Sequence, residues 1–175
     1  MSFQKYLPFE KFVITSKLSS EEVMKRLTDN LEPKRKGIGS YFNIKSSKPY
    51  FGVLTENKFE IHRIINYRNS FLPQIKGTVS SYLGETEISI YMRPAKVVIG
   101  FMIFWLGIVG VICMAIIINL LQRLNEIMNH KITPGAFIPF IMFVFGYLLI
   151  YFGFKVESKK SKAFLINLFE GTVKR

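Results

Sequence analysis

The run from Lys58 to Asn66 gathers Glu60, His62 and Arg63, the side chains best suited to chemistry, into one short stretch. As a strand it alternates its side chains, so Phe59, Ile61, Arg63 and Ile65 share one face while Glu60 and His62 share the other. A guanidinium on an apolar face requires an anion. That anion is either a phosphate or carboxylate ligand or an acidic side chain of the protein, with snorkelling at the sheet edge as the remaining outlet. Arg63 is therefore a candidate ligand-binding residue. Glu60 and His62 are an acid and a base in type, but no nucleophile or orienting partner accompanies them, and the chain is expected to be non-catalytic.

The other histidine, His130, and the single cysteine, Cys113, lie far along the chain inside or between apolar segments. They cannot join His62 in a ligand set, so no metal and no cofactor is expected. A second candidate anion site is the run Lys34, Arg35, Lys36, followed by Gly37-Ile38-Gly39, a basic and flexible loop. Nucleic-acid binding would ordinarily interleave stacking aromatics with such charges in a recognisable module, and none is present. A loop tethered beside an anionic leaflet gains about 1 kcal/mol per basic residue, so lipid is the expected partner.

What tethers it is evident from the charge pattern. No charged side chain occurs from Val97 to Gln122 or from Ile132 to Phe154. A hydrocarbon core of about 30 Å needs roughly 20 apolar residues in a helix, so each run is long enough to cross. The expected hairpin is a first span over 97–121, a loop over 122–131 and a second span over 132–154. Residues 1–96 carry 16 basic and 9 acidic side chains, residues 155–175 carry 6 and 2, and the segment between carries 2 and 1. The positive-inside rule then places both termini in the cytoplasm, with Arg93, Lys96, Lys155, Lys159, Lys160 and Lys162 as membrane-anchoring charges. Met1 to Lys17 contains no apolar stretch resembling a secretory signal, and the first span is expected to direct insertion.

The water-facing part reads as α+β. Phe9 to Ser16 is aromatic and β-branched, and Ser19-Ser20-Glu21-Glu22 forms a capping box opening a helix whose stripe is Val23, Leu27 and Leu31. Strands follow at Tyr50 to Leu54 and Lys58 to Asn66, then at Thr78 to Leu83 and Thr86 to Met92 with a turn near Gly84. In the last of these Ile88, Ile90 and Met92 share one face. Pro73 and Gly77 are expected to make their segment an edge or a bend. Residues 155–175 are expected to hold a separate amphipathic helix over Ser158 to Phe169, ended by Gly171 and docked on the 1–96 domain. This order of a strand, a capped helix and a meander loosely resembles lipid-binding START-like folds or the small roll of pleckstrin-homology domains. The run Tyr67-Arg68-Asn69-Ser70-Phe71-Leu72-Pro73 is distinctive but matches no motif of known chemistry.

Within the spans, Gly100 and Gly107, and likewise Gly146 and Gly153, are seven residues apart and are expected to let the two helices approach closely. Thr133 and Pro134 should open the second span, with a kink at Pro139. No ionisable group marks a proton or ion path. The functional expectation is an inner-membrane protein of bacterial type acting as a non-catalytic accessory or sensing subunit. Its partners would be anionic inner-leaflet lipids and other membrane subunits or copies of itself, with no nucleic acid. The alternatives are an oligomeric effector or channel gated by the cytosolic domain, and a lipid-binding protein at the inner leaflet.

Overall fold

A computed structural model describes residues 7–33, 48–82, 84–122 and 134–174. It contains one seven-stranded sheet and three α-helices, two of which are long and apolar. The chain divides into two compact units, one made of Met1–Ala95 with Gly153–Arg175 and the other of Lys96–Phe152.

In the first unit the strands are β1 (Glu10–Ser16), β2 (Leu31–Pro33), β3 (Tyr50–Thr55), β4 (Lys58–Arg63), β5 (Gln74–Tyr82), β6 (Glu85–Arg93) and β7 (Thr172–Val173). Their order in the sheet is β2-β3-β4-β5-β6-β1-β7, and every pairing is antiparallel except β2 with β3. Strand register brings the apolar positions onto one face: Phe12 lies opposite Ile90, Ile14 opposite Ile88, Ile75 opposite Met92, and Ile61 opposite Ile75. All are buried, and burying each is worth about 1.5–3 kcal/mol, which fixes the register against a one-residue slip.

Helix α1 (Ser20–Asn30) begins where its sequence dictates. Ser19 accepts a hydrogen bond from the Glu22 amide at 3.2 Å, and the Glu22 carboxylate accepts one from the Ser19 amide at 3.1 Å. Val23 and Leu27 are buried in the core together with Leu31, the first residue of β2.

Three expectations for this unit are corrected. Gly77 lies in the interior of β5, paired to β4 on one side and β6 on the other, rather than at an edge. The Phe59 ring occupies the space above it that a Cβ would need, so the glycine accommodates an aromatic neighbour instead of breaking the strand. No separate C-terminal helix exists, because α3 runs unbroken from Ile138 to Leu168. The stretch Phe154 to Lys162 contains no proline, glycine or capping residue strong enough to end a helix already under way. The residue of left-handed conformation at its end is Glu170, with φ 48°, and Gly171 is required for space, since a Cβ there would strike Ile14 and Thr15 of β1.

The second unit contains α2 (Lys96–Gln122), a 3-10 turn (Pro134–Phe137) and the first part of α3. Pro139 is the second residue of α3, which directly follows the 3-10 turn. The most apolar windows of the two long helices are only 17% buried.

Candidate functional site

Arg63 ends β4 on the core face of the sheet, opposite Tyr50. Its anion is internal. The guanidinium donates to Oε2 of Glu157 on α3, a carboxylate whose side chain is 2% exposed. The other oxygen, Oε1, accepts from the Tyr67 hydroxyl and from Lys160 Nζ, the latter at 3.0 Å. Three donors, from β4, the loop after it and α3, thus converge on one carboxylate.

The electrostatics follow from that geometry. Burial by itself would raise the Glu157 carboxyl, but hydrogen bonds from Tyr67, Lys160 and Arg63, with the Arg63 charge, outweigh it and hold the group below its ordinary 4.5. Burial, and then the hydrogen bond to Glu157, raises the Tyr67 phenol, and the hydrogen bond to Glu157 raises Lys160. At neutral pH Glu157 is therefore an anion, while Tyr67 and Lys160 keep their protons. The set is suited to holding charge in place, and a carboxylate of this kind is a poor proton donor.

One helical turn earlier, the same side of α3 is held by the Tyr67 to Pro73 run. Asn69 Nδ2 donates to the Gly153 carbonyl at 2.9 Å, and its Oδ1 accepts from the Phe71 amide at 2.9 Å. The Phe71 ring lies on the bare Cα of Gly153, where a Cβ would come within 2.7 Å of Phe71 Cδ2. The distinctive sequence run is thus a loop fitted to α3 at Gly153 and Glu157.

A second polar tie lies along α3. Ser158 Oγ donates to Glu10 Oε2 at 2.5 Å and approaches Met92 Sδ at 3.6 Å, and Lys162 Nζ donates to Glu10 Oε1 at 2.8 Å. Lys162 also lies over the Phe12 ring, 4.4 Å from its centroid. Tyr50, on β3, is buried and stacked on Phe164 of α3 with centroids 4.6 Å apart. Ser161 is fully buried beside it without a hydrogen bond of good geometry.

The remaining candidates are placed as follows. Lys160 and Lys162, expected to face the membrane, bind the carboxylates of Glu157 and Glu10. Lys155 lies over the Phe154 ring, Lys159 and Lys96 are exposed, and Arg93 is half-buried over Tyr91 with its Nε unpaired. Glu60 and His62 lie on the opposite sheet face from Arg63; Glu60 pairs with Lys76 at 2.9 Å and His62 stacks on Phe51. Lys34, Arg35 and Lys36 and nearly all of the 122–131 loop lie outside the described residues. Among the described residues no group of three or more metal-ligating side chains is gathered.

The glycines divide differently from the expected pairs. Gly146 faces α2, where a Cβ would lie 3.2 Å from Leu106, and Gly110 faces Phe143 of α3. Gly100 and Gly107 have no described atom within 4 Å of the Cβ position, and Gly153 belongs to the Phe71 contact. The residue that sequence reasoning missed is Glu157. Its signal was a lone carboxylate among Lys155, Lys159, Lys160 and Lys162, at positions otherwise favouring positive charge.

No protein family, curated protein or solved structure matches this chain.

Proposed function

We propose that the chain is an integral protein of the cytoplasmic (inner) membrane of a bacterial cell, anchored by the α2–α3 hairpin with both termini in the cytoplasm. The α+β unit serves as a non-catalytic accessory or sensing module that engages a partner subunit or an anionic surface. The observation that carries this reading is the pair of long helices whose most apolar windows are 17% buried, leaving Phe101, Ile103, Phe104, Val111, Phe145 and Phe152 exposed. A core helix of a water-soluble protein buries such side chains, whereas lipid accepts them. The non-catalytic part is supported by the way the ionic groups on the core face neutralise one another: Arg63 and Lys160 with Glu157, and Lys162 with Glu10.

The test is alkaline carbonate extraction of membranes, combined with protease or reporter access at Met1 and Arg175, followed by native mass spectrometry of the detergent-purified protein. Retention in the membrane, both ends on the cytoplasmic face and a monomer or a complex with unrelated subunits support the proposal. Release by carbonate, or ends on opposite faces, overturns it.

A second reading is favoured by one observation. Gly100 and Gly107 occupy an α2 face with open space over their Cβ positions. Small residues facing away from their own hairpin suit close approach of another copy, as in an oligomeric effector. A ring of four or more identical chains in the same native mass spectrum would favour that reading.

A further inference from the structure

The Tyr67 to Pro73 loop is held against α3 at a definite height. Tyr67 binds Glu157, Asn69 binds the Gly153 carbonyl and Phe71 covers the Gly153 Cα. Gly153 and Glu157 are one turn, or about 6 Å, apart along the helix axis. The uncharged run ends at Phe154 and Lys155 follows it. If α3 spans the membrane as proposed above, a reading on which this inference rests, the loop lies at the boundary between hydrocarbon and water.

Arg68 sits between the two anchored residues. It is exposed and makes no hydrogen bond or ion pair among the described residues, whereas Arg26 and Arg63 are paired with Glu170 and Glu157. The carboxylate bound by neighbouring Tyr67, Glu157, is already satisfied by Arg63, Tyr67 and Lys160, and among the described residues no acidic side chain pairs with Arg68. Lys159 is exposed and Lys155 lies over the Phe154 ring, so both add positive charge along the same stretch of α3. Tyr67 has its hydroxyl fixed on Glu157 and is 52% exposed, the disposition of an aromatic residue at headgroup level. We infer that Arg68, next to Tyr67 in sequence, is a binding site for the phosphate of an anionic phospholipid in the cytoplasmic leaflet. A planar guanidinium matches phosphate oxygens in a bidentate manner that a lysine cannot, and anchoring on both sides lets only the side chain move when it binds.

The full-length protein in mild detergent is titrated with phosphatidylglycerol and with phosphatidylcholine, and bound lipid is counted by native mass spectrometry. R68Q is expected to weaken phosphatidylglycerol binding about fivefold, the factor due to one basic residue at an anionic surface, and to leave phosphatidylcholine unchanged. K58Q removes an exposed charge at the far end of β4, about 16 Å from Arg63, and is expected to change neither. Wild-type affinity in R68Q, or an equal loss in K58Q, overturns the site. So does inorganic phosphate competing at the lipid's own concentration, because the ligand would then be a free anion. Carbonate extraction of the membranes from which each variant is purified separates the two readings: a protein that stays in membranes but fails these tests loses only the lipid site, while one that is released loses both.

Discussion

Gly153 and Phe71 are in direct contact, with a Cβ on Gly153 placed 2.7 Å from Phe71 Cδ2 and 3.1 Å from Phe71 Cβ. Glycine is thus required where the loop meets the helix. G153A is expected to lower stability by about 1–3 kcal/mol, as overpacking does, and to act non-additively with F71A, which removes the ring it strikes. Thermal denaturation of the four members of that double-mutant cycle in detergent measures the coupling; strict additivity would show that the contact is not made.

Removing the Glu157 carboxylate leaves Arg63 facing the core without an anion. E157A is expected to destabilise by about 3 kcal/mol, the low end for a broken buried pair because Arg63 is 28% exposed. Replacing both partners by apolar residues, as in R63M/E157L, should recover most of that loss. A double mutant as unstable as E157A would mean that the pair is not an isolated unit.

Stability should fall in acid for a definable reason. The Glu157 and Glu10 carboxyls both lie below their ordinary 4.5: burial raises each, but hydrogen bonds outweigh it, from Tyr67, Lys160 and Arg63 at Glu157 and from Lys162 and Ser158 at Glu10. Groups whose folded pKa is depressed contribute stability that is fully present above the unfolded value and is lost as pH falls through the folded one. Denaturation midpoints are therefore expected to hold steady down to about pH 5 and to drop below 4.5, with a shallower drop in the E10Q/E157Q variant. An unchanged acid slope in that variant would place the loss elsewhere.

Within the hairpin, Gly146 packs against α2 more tightly than Gly110 packs against α3. G146L pushes a large side chain toward Leu106 and Trp105 and is expected to lower the melting temperature in detergent, while G107L, in open space, leaves it unchanged. If copies associate through that face, G107L lowers the oligomer fraction in native mass spectra without affecting the melt of the monomer.

At the other end of the domain, S19A removes one half of the capping box and is expected to cost about 1 kcal/mol in denaturant unfolding.

Local chemistry made much of this legible in advance. The capping box at Ser19 and Glu22, the Val23 and Leu27 stripe, the alternation of Ile88, Ile90 and Met92 and the two uncharged runs are all written in residue types at fixed spacing, because helices and strands repeat with periods set by the backbone alone, whereas Leu31, expected to continue the helical stripe, begins β2. The placement of Arg63 on an apolar face belongs to the same class, and with it the need for an anion.

Tertiary structure decided which anion. Glu157 is 94 residues from Arg63 and the two are joined only when α3 lies across the core face, an arrangement no local periodicity encodes. The same packing moved Gly153 from a helix-pair position to the Phe71 contact, let Phe59 shelter Gly77 inside the sheet, and drew Lys160 and Lys162 onto carboxylates. Each depends on segments distant in sequence competing for one space or one charge, so it exists only once the chain has folded.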